Sequence, residues 1–167
     1  MIPRVLKNFN LFVDGRGYAG VIEQLTLPKL TTQMEEYRGG GMDAPVEIDL
    51  GQEKLECTFQ LFEYDPNVVR LWGLADGAAT QVTARGGLRR DGEAAVPIVV
   101  NMRGVVKEMD AGDWTAGEKT SGQFMMALRY IKVAIDGHEL IEVDVVSMIR
   151  KVGGTDQLES IRAAIGI

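Results

Sequence analysis

The chain has 167 residues, 46% apolar and 25% charged, with a formal net charge of −6 at neutral pH. That length suffices for one domain with a substantial core, and no apolar run approaches the ~18 residues that span a bilayer. One cysteine and one histidine exclude an intrachain disulfide and an ordinary zinc site, while the acidic balance disfavours tight nucleic-acid binding, which draws on clustered lysine and arginine.

Twenty glycines favour many turns and short strands. The N-terminal MIPRVLKNFNLFVDG lacks a signal peptide's long apolar centre and small-residue cleavage site, so synthesis in a cytoplasm is expected. Next comes LFVDGRGYAGVIEQLTLPKL, with Gly15, Gly17 and Gly20 at the G-x-G-x-x-G spacing of a dinucleotide-binding turn. A Rossmann turn needs a helix of several turns after the third glycine and then a buried parallel strand. Pro28 cuts such a helix short, and TTQMEEY is too polar for a central parallel strand. Asp14-Gly15 is read instead as a hairpin turn joining Asn10–Val13 to Tyr18–Leu27; no nucleotide cofactor is expected.

Between Glu35 and Glu56 stand seven acids against Arg38 and Lys54. Within this stretch EYRGGGMDAPVEIDL has three consecutive glycines but no following Gly-Lys-Ser/Thr for phosphate and magnesium. Three glycines carry a large ordering cost. The apolar Met42, Pro45, Val46, Ile48 and Leu50 would be wasted on water in a plain loop. The segment from about 38 to 50 therefore reads as a flexible arm that orders on docking to another subunit.

LECTFQL alternates Leu55, Cys57, Phe59 and Leu61 with polar residues, a half-buried strand with the thiol packed inward. Asp65-Pro66 caps a short helix, NVVRLW, whose Val68, Val69, Leu71 and Trp72 pack and which stops at Gly73. Arg85, Arg89 and Arg90 in RGGLRRDG are offset at once by Asp91 and Glu93. PIVVNMRGVVK sets Ile98, Val100, Met102 and Val106 against Asn101, Arg103 and Lys107 on the other face. Asp110 and Asp113 in EMDAGDW are turn formers rather than a catalytic carboxylate pair. Phe124–Ile135 is a long strand apolar on both faces, and Asp136-Gly137 suits a type I′ hairpin leading into ELIEVDVVSMI, with His138 solvated beside the turn. A last helix is expected from Thr155 to about Ile165, with Leu158, Ile161 and Ile165 on one stripe and Gly166 as its stop. The whole is one antiparallel β domain over residues 1–167, a barrel or sandwich with one or two short α-helices. No catalytic, metal or cofactor constellation assembles from these residues.

The ordered set N-L-F-V-D-G (10–15), L-T-L-P-K-L (25–30), E-Y-R-G-G-G-M-D-A-P (36–45), W-G-L-A-D (72–76), R-G-V-V-K-E (103–108), G-D-W-T-A-G-E-K (112–119) and D-Q-L (156–158) resembles the major tail tube protein of contractile-tailed bacteriophages. That family is shared with R-type bacteriocin tubes, and the resemblance covers essentially the whole chain. It implies a non-enzymatic structural subunit that forms six-membered rings. These stack head to tail into a hollow tube inside a contractile sheath, which penetrates the host envelope and conducts DNA without binding it tightly. The implied partners are further copies of the chain, the sheath, and the tape-measure, baseplate hub and tail terminator proteins, with no stable membrane insertion. The implied location is a virion tail. The tube of a headless R-type bacteriocin or of a type VI secretion system is the alternative. The resemblance gives the arm an inter-subunit role, placed on Arg38, Gly39, Gly40, Gly41, Met42, Asp43, Ala44, Pro45 and Val46. A carboxylate-lined lumen would repel phosphates, and Glu139, Glu142 and Asp144 are candidates to face it.

Overall fold

The computed structural model describes residues 1–75 and 78–167 of the chain; Asp76, the last residue of the W-G-L-A-D stretch, lies outside them. In chain order the elements are β1 (Val5–Val13), β2 (Arg16–Gly17), β3 (Ile22–Thr26), β4 (Thr32–Tyr37), β5 (Val46–Gln52), β6 (Leu55–Leu61), α1 (Pro66–Val69), β7 (Thr80–Arg89), β8 (Val96–Asp110), β9 (Gly122–Ile135), β10 (His138–Asp144), β11 (Ile149–Val152), β12 (Thr155–Asp156) and α2 (Glu159–Ile165). All ladders between these strands are antiparallel.

The fold is organised around β9. Its Ile135-to-Gln123 length pairs with β8 on one edge, while its other edge changes partner partway along. Gly122–Leu128 pairs with β6, and Tyr130–Ile135 pairs with β10. Arg129 is the extra residue at the changeover, because Arg103 of β8 faces Tyr130 while the next residue, Gly104, faces Leu128. A bulge of this kind reverses which alternate side chains point inward. Accordingly Phe124, Met126 and Leu128 are buried before it and Ile131 after it. Gly104 has to be glycine here, since a Cβ would lie 2.1 Å from the Ala127 carbonyl oxygen.

The sheet runs β12-β11-β10-β9-β8-β7-β1-β2, with β6 and then β3 branching from β9. It curls so that Leu11 and Val13 of β1, Val82 of β7, Met102 of β8 and Phe59 of β6 share one core. Phe59 and Phe124 stack there with ring centroids 5.2 Å apart. Between β1 and β3 no ladder closes the curl among the described residues. A seam is left, floored by the side chains that would otherwise be core.

Local chemistry explains the turns. Asp14-Gly15 (φ 47° and 81°) and Asp136-Gly137 (φ 53° and 76°) both have the paired positive φ of a type I′ turn. Asp65 caps α1 by accepting from the Asn67 amide at 2.7 Å, Val68 is fully buried, and Gly73 ends the segment at φ 78°. Trp72, expected to pack, is mostly exposed, its indole N–H donating to the Lys107 carbonyl at 3.2 Å.

Three expected elements differ. The strand after Asp14-Gly15 pairs with β1 only through Arg16 and Gly17. Buried Tyr18 then turns the chain, with the Ile22 amide donating to its carbonyl at 2.9 Å, and β3 crosses over to pair with β6. The strand after Asp136-Gly137 stops at Asp144, whose carboxylate accepts from the Ser147 amide at 3.1 Å and fixes a turn before β11. The last helix starts at Glu159 rather than Thr155, because Thr155 and Asp156 pair with Val152 and Lys151.

Candidate assembly surface

The segment Thr32–Gln52 is a β-hairpin that forms its own two-stranded sheet, hydrogen-bonded to no other strand among the described residues. Every residue of β4 is exposed, as are Val46–Leu50 of β5. Met34, Tyr37, Val46, Ile48 and Leu50 are each 46–55% exposed. A lone two-stranded ribbon is marginal in water, so apolar groups on one are poorly placed unless something covers them. The pairing sorts the two faces. Tyr37 stands opposite Val46 and Glu35 opposite Ile48, whereas Glu36 stands opposite Glu47 and Met34 opposite Asp49. One face is therefore mainly apolar, and the other carries three carboxylates. Of those three, only Asp49 has a cation nearby among the described residues, Arg150 at 3.7 Å.

The structure divides the expected arm. Arg38, Gly39, Gly40, Gly41, Met42, Asp43, Ala44 and Pro45 form the hairpin tip, while Val46 is the first residue of β5. The tip is closed on itself. The Arg38 guanidinium donates to the Met42 carbonyl at 3.1 Å, the Met42 amide donates to the Gly39 carbonyl at 3.2 Å, and the Gly39 amide approaches the Met42 sulfur at 3.1 Å. Gly41, at φ 86°, supplies the conformation that lets the turn close. The projecting unit is thus longer than residues 38–50, beginning at Thr32 and ending at Gln52. Sequence reading missed β4 because TTQMEEY has no buried face and so no apolar alternation.

Elsewhere, two side chains singled out by the sequence are held by polar contacts. Trp114 donates through its indole N–H to the Tyr64 hydroxyl at 3.1 Å, and that hydroxyl in turn donates to the Ala111 carbonyl. Asp110 accepts from the Gly112 amide at 2.9 Å, as a turn former would. His138 is exposed beside its turn. Cys57 is buried, and burial pushes its thiol up to about 12, which keeps it inert as a nucleophile at neutral pH.

The outward face of the main sheet is polar and mixed in charge. Glu139 lies 3.2 Å from Lys132 and Glu142 lies 3.9 Å from Lys151. The Arg103 guanidinium sits 4.2 Å over the Tyr130 ring, whose hydroxyl donates to Glu142 at 3.0 Å. Asp144, the third candidate lumen acid, is taken up by its turn. Two of the three candidate acids are therefore matched by lysines on the same face.

The described residues thus combine a curled antiparallel sheet with a projecting, uncovered hairpin. Residues 3–166 match the family described as Phage tail tube protein FII, and the chain belongs to that family. It is 39% identical over 171 residues to the tail tube protein of Escherichia phage P2, covering 99% of each chain. It is 30% identical over 169 residues to the major tail tube protein of Serratia phage KSP20, covering 99% of this chain and 98% of that one. Among solved structures, the sheath/tube terminator assembly of the extracellular contractile injection system PVC contains a chain that superposes with a TM-score of 0.62. The identity is 10%, over 80% of this chain and 98% of that one. A chain of the PVC sheath–tube complex gives 0.60 at 11% identity, over 79% and 91%. These two likenesses are of fold. Family membership makes this chain a structural subunit of a phage tail tube and not an enzyme.

Proposed function

We propose that six copies close into a ring, that rings stack head to tail into the tube of a DNA-delivering phage tail, and that the hairpin tip together with Val46, the first residue of β5, is the contact that passes between subunits. In this reading residues 1–167 act as one tube domain, assembled in the host cytoplasm. The sheath surrounds the stack, and the tape-measure, baseplate hub and terminator proteins set its length and ends. DNA travels the bore without tight binding, since the chain's net charge of −6 repels phosphate.

The observation that carries the proposal is the detached hairpin with five half-exposed apolar side chains. Burying such groups stabilises by ~1 kcal/mol or more each, and a heterologous contact repeated along an axis extends as an open filament. The test is negative-stain electron microscopy of the purified chain and of a variant lacking Gly39–Ala44. The wild-type chain forms rings or tubes. The deletion abolishes stacking while the β-sheet circular dichroism stays near the wild-type signal. A wild-type chain that stays monomeric at high concentration across salt conditions overturns the assembly, and a deletion that still stacks removes the tip's role.

A further inference from the structure

The β4–β5 hairpin is joined to the rest of the subunit by two short linkers, residues 27–31 and 53–54. At its base the Glu53 amide donates to the Thr31 carbonyl at 2.9 Å. Just beyond, Thr32 faces Gln52 and Met34 faces Asp49, so Leu50 and Gly51 stand opposite Gln33 alone. Two residues against one make a bulge, which bends a strand. Gly51 sits in it at φ 111°, with open space where a Cβ would be. Against this bend lies a cleft of about 420 Å³ lined by Gly51, Leu55, Leu128, Val143, Met148 and Leu158. That space leaves the hairpin room to swing.

One ion pair crosses from the hairpin to the body among the described residues: Arg150 Nη2 of β11 lies 3.7 Å from Asp49 Oδ2. The other Asp49 oxygen, Oδ1, accepts from the Gly51 amide at 2.7 Å. The carboxylate thus touches the bend and the body at once. Of the other cations lining the cleft, Lys54 lies 3.1 Å from Glu56 and Lys107 is paired to the same carboxylate. Arg150 is itself fixed at its backbone. It stands opposite Val143 in the β10–β11 ladder, and its carbonyl accepts from the Gln157 amide at 2.8 Å.

We propose that Asp49 and Arg150 form a latch that sets the pitch of a hinged hairpin, with Gly51 as its pivot. Asp49 shares a face of β5 with Glu47. The closed latch therefore turns that face toward the body and leaves Tyr37, Val46 and Ile48 pointing away. Both side chains keep contact with water, Asp49 at 46% and Arg150 at 25% exposure. Salt therefore screens the latch, and a pair of this kind shifts the hinge equilibrium by up to about five-fold. The latch is a property of the single subunit and holds whether or not six copies form a ring.

The test places spin labels on Asp43→Cys at the hairpin tip and Gln123→Cys on β9, both exposed, in the dilute monomeric subunit. The native Cys57 is buried and stays unlabelled. Double electron–electron resonance then reads the pitch as a distance distribution. At low salt the latched subunit gives one narrow distance, which broadens toward ~1 M salt, where screening acts over ~3 Å. Asp49→Asn keeps the acceptor for the Gly51 amide and removes only the charge. It lowers the ratio of latched to released distances several-fold at low salt and abolishes the salt dependence. Asp49→Arg combined with Arg150→Asp restores the narrow distance. An Asp49→Asn distribution equal to wild type at low salt overturns the latch, as does a wild-type distribution that salt does not change. A broad distribution that the charge swap leaves broad, in a chain with wild-type circular dichroism, overturns it too. Should the swapped chain fail to fold, the salt response of the wild type and of Asp49→Asn decides.

Discussion

Glu36 and Glu47 face each other directly across the β4–β5 ladder, with no cation paired to either among the described residues. Like charges at directly opposed positions destabilise a strand pair, so the isolated subunit holds its hairpin against a local repulsion. Both carboxylates point away from the face that carries Tyr37, Val46 and Ile48.

Replacing one member of the pair should therefore help the monomer. Glu47→Lys turns a repulsive pair into an attractive one, worth about 0.2–1 kcal/mol to the hairpin. In hydrogen exchange on the monomeric subunit, the β4 and β5 amides should gain up to several-fold protection while those of β8 and β9 stay unchanged. Equal or lower hairpin protection would show that the repulsion is not felt.

Gly104 makes the opposite kind of prediction. Its added Cβ meets backbone, the Ala127 carbonyl, rather than the movable end of a side chain. Gly104→Ala must push apart β8 and β9 at the point where β9 changes partner. Overpacking against fixed atoms costs about 1–3 kcal/mol, so thermal denaturation should give a melting temperature lower by several degrees. Gly87→Ala is the control, on the neighbouring strand with open space around its Cβ, and should move the midpoint far less.

How much of this was legible beforehand follows from where the information lies. Asp14-Gly15 and Asp136-Gly137 announce their turns because the required positive φ selects those residues locally. Leu55–Leu61 and Ile98–Val106 announce their inward faces because one side of each strand meets the core throughout. The crossing of β3 to β6 is not written locally. Neither is the partner change of β9 at Arg129, which depends on the spacing of strands distant in sequence. β4 lacked the usual signal because it has no buried face, and the alternating Val46, Ile48 and Leu50 of β5 stay exposed, since among the described residues no strand of the main sheet pairs with this hairpin. The C-terminal stripe of Ile161 and Ile165 reads as a packing face, yet both residues are exposed in the subunit.

High pH should weaken the fold in a defined window. Burial, and then the neighbouring Asp65, raise Tyr18 from 10.0 to about 12. Burial, and then the hydrogen bond to Glu142, raise Tyr130 to about 12 as well, and burial takes Cys57 from 9.0 to about 12. For a group raised on folding, the stabilisation of its neutral form is complete below the unfolded value and is lost as pH rises through the folded one. Stability to urea should therefore decline from about pH 9–10 and continue falling to about 12. Absorbance at 295 nm should show a late tyrosinate step that shrinks in Tyr18→Phe and in Tyr130→Phe. Ionisation of either residue near pH 10 in the folded chain would contradict the burial that sets these values.

The C-terminal helix α2 has no buried residue and no side-chain cap at its start, so propensity alone would not hold seven residues in place. Its anchor is Asp156, just before it. That carboxylate accepts from the Arg162 guanidinium at 2.6 Å and the Leu158 amide at 3.0 Å, and the Arg150 amide lies at 3.5 Å. Arg162 also donates to the Met148 carbonyl at 2.7 Å, tying the helix to the turn before β11. The hydrogen bond from Arg162 is the main reason the Asp156 carboxyl is held down at about 2, below its ordinary 3.8. For a group depressed on folding, the contribution is present above the unfolded value and is lost as pH falls through the folded one. The clasp should thus survive to about pH 3 and release near 2. At neutral pH, Asp156→Asn should strip the α2 amides of exchange protection while β8–β9 protection persists, and Arg162→Lys should recover only part of it, because lysine cannot span two acceptors with one planar group. Undiminished protection of α2 in Asp156→Asn would mean that contacts other than this carboxylate fix the helix.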